Sequence, residues 1–117
     1  MEWTDHIRPE DLQQLIINWE EQQPLKGTSQ ERDYNPVVKL FNPLGIGTWL
    51  LTECDNDGLA FGLSDMGYPE LGYISLEEVF AVKLPGGLHI EQDRYWTAKH
   101  TLSEYAAQAR SAGAIRA

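Results

Sequence analysis

Residues 48–65, TWLLTECDNDGLAFGLSD, decide the fold because they predict a β-hairpin. In the second half of this stretch, Leu59, Phe61 and Leu63 alternate with smaller residues, and a period of two is typical of a strand. The link between the halves is Asn56-Asp57-Gly58, whose residue types tolerate the positive φ of tight turns. The pattern predicts two paired strands: Thr48–Asp55 and Leu59–Asp65.

Three helices are predicted around this hairpin. Pro9 suits the first position of a helix, where its missing N–H would be unpaired anyway. Apolar residues follow it at helical spacing and predict a buried stripe: Leu12, Leu15, Ile16 and Trp19. Ser75 and Thr101 each stand three residues before a glutamate, which is the spacing of a capping box, so each is predicted to begin a helix. Gly113 is the predicted end of the last helix.

The remaining apolar segments predict further strands: Val37–Phe41, Gly72–Ile74 and Leu88–Trp96. Residues 22–36 are polar and contain Pro and Gly, which favours a long loop. Short links favour antiparallel neighbours. We therefore predict the α+β class, with a mostly antiparallel sheet of four to five strands, an N-terminal helix, a short middle helix and a C-terminal helix, the helices covering one face. A length of 117 residues suits a single domain over 1–117.

The composition excludes several classes of partner. The chain has 18 Asp plus Glu against 9 Lys plus Arg, a net charge of −9. A protein that binds duplex DNA or an anionic membrane needs a basic face, so neither partner is expected. With one cysteine and an acidic, polar start, the sequence favours a cytoplasmic protein.

The negative charge is concentrated in the middle of the chain, since no Lys or Arg occurs between Lys39 and Lys83. Seven acidic residues fall in this stretch: Glu53, Asp55, Asp57, Asp65, Glu70, Glu77 and Glu78. They form either a solvated surface that aids solubility or a docking face for a basic protein surface. We predict these seven residues as the partner-binding residues.

Catalytic and metal-binding patterns are weaker. Cys54 is predicted in a strand, far in sequence from every histidine, which favours a structural cysteine. His89, Glu91 and Asp93 alternate along a predicted strand, and imidazole with carboxylates can hold a divalent ion. An exposed polar strand face would look the same, so we predict no catalytic residue, no metal and no cofactor.

Several segments from Pro36 onward carry a resemblance to a known family. In chain order they are Val37–Pro43, Gly47–Glu53, Ala60–Asp65, Pro69–Glu78, Ile90–Trp96 and Leu102–Tyr105. Together they resemble a bacterial family of domains of unknown function that is common on plasmids, integrative elements and phages. Two places depart from the family pattern. Many relatives are longer before Pro69 or have Phe there, and relatives usually join Glu-Arg-Asp where this chain has Glu91-Gln92-Asp93-Arg94.

The resemblance implies a binding protein rather than a catalyst. The type II anti-CRISPR proteins, which inhibit the Cas9 nuclease, include relatives of this family. The implied function is that of a non-catalytic accessory protein of a mobile genetic element that inhibits a Cas9-type nuclease. Its expected partner has a basic surface, such as a Cas9 nuclease or its guide-RNA complex. The alternatives are a small metal-dependent enzyme or a plasmid-maintenance adaptor.

Overall fold

The computed structural model describes residues 2–117, and its centre is a five-stranded antiparallel sheet in the order β4-β3-β2-β1-β5. The strands are β1 (Val38–Phe41), β2 (Thr48–Cys54), β3 (Leu59–Asp65), β4 (Pro69–Ser75) and β5 (Glu91–Gln92). The helices are α1 (Pro9–Gln22), α2 (Leu76–Ala81) and α3 (Leu102–Ala112), with short 3₁₀ segments at Trp3–His6, Gln23–Leu25 and Pro85–Gly87. The predicted α+β class is confirmed.

The predicted hairpin forms as β2 and β3, and its turn is held by one side chain. The Asp55 carboxylate accepts hydrogen bonds from the N–H groups of Asp57 (2.9 Å) and Leu59 (2.8 Å). Gly58 supplies the positive φ, at +88°. Asp55 is thus part of the turn itself.

A β-bulge interrupts this hairpin before the end of β2. Leu51 pairs with Gly62, but the next paired residue on β2 is Glu53, opposite Phe61. Two residues of β2 therefore face one residue of β3, which reverses the side-chain alternation beyond that point. Because of the bulge, Glu53 points to the same face as Leu50 rather than to the face of Leu51.

The helices cover both faces of the sheet. On one side, which we call the α1 face, side chains of α1 and α2 pack with the sheet residues Val38, Leu40, Trp49 and Leu51. On the opposite side, the α3 face, side chains of α3 pack with Leu50 and Leu63. The prediction that all helices cover one face was wrong. The reason lies in β2, which is buried on both sides along its length, so each side needs its own cover.

The predicted helix ends are confirmed. Ser75 Oγ accepts the N–H of Glu78 (3.3 Å), and Thr101 forms a reciprocal capping box with Glu104. Gly113 ends α3 in the left-handed conformation, at φ +82°. In the apolar stripe of α1, Leu15 is fully buried, whereas Leu12 and Ile16 pack at the margin of the core.

Two strand predictions need correction. The segment predicted as Leu88–Trp96 pairs only at Glu91–Gln92, because Asp93 accepts hydrogen bonds from Tyr95 and Trp96 and so closes a turn. The strand predicted at Gly72–Ile74 extends over Pro69–Ser75. The long loop after α1 is fastened by Gln22, whose side-chain amide bonds both the C=O (2.7 Å) and the N–H (3.0 Å) of Arg32. Nowhere in residues 2–117 is a helix both long and apolar enough to cross a membrane.

Candidate partner-binding site

The seven predicted acidic residues do not form one face. The register pairs Leu59 with Ser75 and Asp65 with Pro69, so the two ends of β4 lie six residues apart, or about 20 Å. The β2–β3 turn and the start of α2 lie at one end, with Asp55, Asp57, Glu77 and Glu78. Glu70 and Asp65 lie at the other end.

Two of the seven, Asp65 and Glu53, are buried rather than exposed on the surface. Asp65 is 7% exposed, and its carboxylate accepts the N–H groups of Gly67 and Ile115, both at 2.9 Å. It joins the β3–β4 turn to the segment after α3. Glu53 is 1% exposed, because the bulge turns it beneath the loop that follows α1. The exposed acids are Asp57, Glu70, Glu77 and Glu78.

β4 lies at the edge of the sheet, and its outer side is free within residues 2–117. Leu76 N–H donates to the Gly58 carbonyl (2.9 Å), and both backbone groups of Leu59 turn toward Asp55. Leu59 and Ser75 are therefore a non-hydrogen-bonded pair. Antiparallel pairs alternate, so the N–H and C=O groups of Leu71 and Tyr73 point away from β3, into solvent.

An open cavity of about 590 Å³ lies beside β4 on the α3 face, next to the first residues of α3, Leu102 and Ser103. Phe61, Leu71 and Tyr73 form its sheet wall. The loop after α1 forms the opposite wall and carries Lys26 and Tyr34. The cavity therefore adjoins the free edge, and Tyr73 belongs to both.

Glu53 lines this cavity and carries an unsatisfied carboxylate oxygen. Its Oε1 is 3.3 Å from Thr52 Oγ1, whereas its Oε2 is buried with no hydrogen-bond partner within residues 2–117. Burial raises the pKa of Glu53, although the positive charge of Lys26 and the hydrogen bond from Thr52 oppose this. Buried polar atoms are nearly always paired, so an orphan oxygen on a side chain that lines a cavity marks a place for a donor.

Lys26 sits among three aromatic rings at the cavity mouth. Its Nζ is 4.5 Å from the ring centre of Tyr73, 5.1 Å from that of Phe61 and 5.3 Å from that of Trp19. It also donates a hydrogen bond to the Tyr73 hydroxyl. Each distance lies within the range of a cation–π interaction, so these rings form an aromatic cage with an ammonium inside it.

The residues of the alternative metal site are not brought together as a ligand set. No group of three or more His, Cys, Asp and Glu in the described part of the chain could hold a metal ion. His89 Nδ1 is 2.8 Å from the Ile90 carbonyl, and its ring packs edge-on against His6. The Asp93 carboxylate accepts the N–H of Tyr95 and lies 3.9 Å from Lys39 Nζ.

Cys54 is fully buried on the α1 face. Burial, with a further contribution from the charge of Asp55, raises the pKa of its thiol to about 12. The thiolate is the nucleophilic form of cysteine, so this side chain is unreactive near neutral pH.

Comparison with known proteins identifies the family. A family model described as protein of unknown function, DUF2958, matches residues 6–116. The chain belongs to the DUF2958 family. The match extends to α1 as well as to the segments from Pro36 onward, so the whole sheet and its three helices fall within the family's domain. No curated protein and no solved structure gives a significant match to this DUF2958 member.

No sequence pattern identifies Lys26, Trp19 and Tyr73 as site residues. Lys26 and Tyr73 are 47 positions apart, and no local pattern joins them. The free backbone of β4 is not identified either, because the strand order that puts β4 at the edge is set by long-range pairing. One signal was present: the single acid between buried residues of β2, Glu53, breaks the apolar pattern of a strand.

Proposed function

We propose that this DUF2958 protein is a non-catalytic binding protein of a mobile genetic element. In this proposal it inhibits a Cas9-type nuclease by adding a basic, extended segment of its partner to the edge of β4. The free edge of β4 is the observation that carries the proposal. Strand addition uses the outward N–H and C=O groups of Leu71 and Tyr73 as a template. The resemblance to relatives of Cas9 inhibitors supports a nuclease as the partner.

The charges around β4 favour a basic segment. Glu70 is exposed at one end of the strand, and Glu77 and Glu78 are exposed just beyond the other end. Lys and Arg are absent from the sequence between Lys39 and Lys83, so β4 and the segments next to it in the sequence carry acidic but no basic side chains, which favours a basic segment over an acidic one. Complementary charge would speed encounter and select partners, whereas the main-chain bonds would hold the complex together.

The first experiment tests the charges. A Glu70→Lys/Glu77→Lys variant should weaken inhibition of plasmid cleavage by Cas9 and its guide RNA, by about tenfold near 150 mM salt. The matched control is Glu10→Lys/Glu20→Lys, which makes the same charge change on exposed positions of α1. The wild-type protein should lose affinity steadily as salt rises. Equal losses in the two variants would show only a net-charge effect, and unchanged inhibition in both would refute docking by these acids.

The second experiment tests the edge. Leu71→Pro removes one outward N–H without taking a hydrogen bond from the β3–β4 ladder, and proline is tolerated at such edge positions. We expect a folded protein whose affinity for the nuclease complex falls at least about tenfold. Leu71→Ser is the control, because it removes the same side chain and keeps the N–H. If the proline variant binds as tightly as the serine variant, the partner does not use this edge.

A further inference from the structure

We propose that the cavity beside β4 is a binding site for a guanidinium group, and that Lys26 is a built-in occupant which an arginine side chain of the partner displaces. This inference rests on the proposed function only in taking the arginine from the added segment. The site itself is argued from Glu53, the aromatic cage and Lys26.

The anionic end of the site is Glu53. The Glu53 side chain lines the cavity, and its Oε2 is buried with no donor within residues 2–117. Lys26 does not supply one, because its Nζ donates to the Tyr73 hydroxyl and leaves Glu53 Oε2 without a partner. The free oxygen requires an N–H donor. That requirement favours a guanidinium or a primary ammonium over a quaternary ammonium, which has no N–H.

The other charged groups near Glu53 are already engaged. The Arg32 guanidinium lies 3.5 Å from Glu21, and Glu31 accepts the N–H of Gly27 at 2.9 Å. Asp33 accepts both the N–H (3.1 Å) and the hydroxyl of Ser103. These bonds leave Glu53 as the acid in the cavity wall that still needs a donor.

The walls suit the flat face of a guanidinium. Phe61 and Tyr73 pack edge-to-face with ring centres 5.3 Å apart, and Trp19 packs against Tyr73 from the far side at 6.2 Å. A guanidinium stacks on aromatic rings, is weakly hydrated and carries several donors in one plane. It could therefore stack on the cage while its edge donates to Glu53 Oε2. A cavity of about 590 Å³ admits it once Lys26 swings out.

The position of Tyr73 connects the cavity to the strand edge. Its backbone groups point outward along the free edge, and its ring forms one wall of the cage. A segment added to β4 would present alternate side chains to the α3 face, next to this ring. One of these side chains is the arginine that we place in the cavity.

The test uses methylguanidinium as the probe on the isolated protein, followed by NMR of the Trp19 indole and of the aromatic signals of Phe61 and Tyr73. Lys26→Met keeps the apolar stem and removes the built-in cation. We expect saturable shifts in this variant, with an affinity about tenfold higher than in the wild type. Lys26→Arg should fill the cavity and bind the probe more weakly than Lys26→Met.

Two further measurements test which chemical features of the probe the site recognises. Glu53→Gln in the Lys26→Met background should lose at least about tenfold in probe affinity, because the amide carries no charge. Tetramethylammonium should bind more weakly than methylguanidinium. No saturable shift in a folded Lys26→Met protein, equal affinity after Glu53→Gln, or tighter binding of tetramethylammonium would each overturn the site. Because the probe needs no partner, these results are independent of whether a nuclease binds β4.

Discussion

The two faces of the sheet are built differently. On the α1 face, apolar side chains of the helices and the sheet form one buried cluster, and residues such as Leu15, Leu40 and Leu51 are fully buried. On the α3 face, α3 covers Leu50 and Leu63, and an open cavity lined by Glu53 and by the first residues of α3 lies beside β4. We infer from this difference that the α1 face stabilises the fold, whereas the open part of the α3 face is available to bind a partner. The predictions below test this division, from the largest expected effect to the smallest.

Truncating a buried side chain on the α1 face should lower the free energy of unfolding the most. Leu51→Ala leaves a cavity between β2 and α1, and such changes cost about 2–5 kcal/mol of unfolding free energy. On the open face, Phe61→Leu changes a half-buried ring at the cavity wall and should cost less than about 1.5 kcal/mol. Denaturant unfolding of the two variants gives the comparison. A larger loss for Phe61→Leu would mean that the open face carries the stability.

Neutralising the buried acid should stabilise the protein. Glu53→Gln removes a buried charge that has one unpaired oxygen, and we expect a gain of about 1 kcal/mol at pH 7. The pKa of Glu53 is raised in the folded protein, so the folded state binds its proton more readily than the unfolded state does. Its stabilising contribution is therefore present below the ordinary pKa of 4.5 and is lost as the pH rises through the folded pKa.

The measurement for Glu53 is the difference in unfolding free energy between wild type and Glu53→Gln across pH. The gain from the substitution should grow from pH 4 to pH 7. A companion variant, Thr52→Val, removes the hydroxyl whose hydrogen bond opposes the raised pKa of Glu53, so it should enlarge the pH dependence while the carboxylate stays in place. A pH-independent difference would contradict the raised pKa.

Substituting Asp33 should lower the free energy of unfolding by an intermediate amount. Asp33 joins the start of α3 to the loop that forms one wall of the cavity. Burial acts to raise the pKa of Asp33, but the hydrogen bonds from Ser103 outweigh it and the pKa is lowered. Its contribution is thus present above the ordinary pKa of 3.8 and is lost as the pH falls through the folded value. Asp33→Asn should cost about 1 kcal/mol at pH 7, as the loss of a helix-capping side chain does.

The control for Asp33 is Asp57→Asn, an identical substitution at an exposed turn position. Thermal unfolding at pH 7 and at pH 3 should separate the two. If Asp33→Asn is no worse than Asp57→Asn at pH 7, the bonds to Ser103 do not hold α3 in place.

Substituting His6 should change the free energy of unfolding by the smallest amount. Burial, with a contribution from the neighbouring His89, lowers the pKa of His6, whose ring stacks on Phe80. The unfolded chain then binds the proton more readily, so stability falls as the pH drops below about 6.5. His6→Phe keeps the stack and should remove this part of the pH dependence, with a change of less than about 0.5 kcal/mol at pH 7. An unchanged slope between pH 7 and pH 5 would contradict the lowered pKa.

Local signals in the sequence were enough for much of the fold. The β2–β3 hairpin, the start of α1 at Pro9 and the capping boxes at Ser75 and Thr101 each depend on residues within one turn of each other. The predictions that were wrong concern features set by contacts between residues far apart in the sequence. That α3 covers the second face depends on packing between Leu50 and a helix some fifty residues later, which no short window contains.

The candidate site was only partly predictable for the same reason. Glu70, Glu77 and Glu78 were predicted as partner contacts and are exposed beside β4. Glu53 was predicted as a partner contact, and the bulge places it in the wall of the cavity rather than on the open surface. Glu53 and the aromatic cage around Lys26 belong to three separate segments of the chain, which only the folded structure brings together.

The most direct test of strand addition at β4 is amide hydrogen exchange in the complex with the Cas9-type nuclease. In the free protein, the N–H groups of Leu71 and Tyr73 should exchange rapidly because they point into solvent. In the complex, both should slow by at least about tenfold, since each would donate to the added strand. If the complex forms and these two amides exchange as fast as before, the partner does not pair with β4 and the account is wrong.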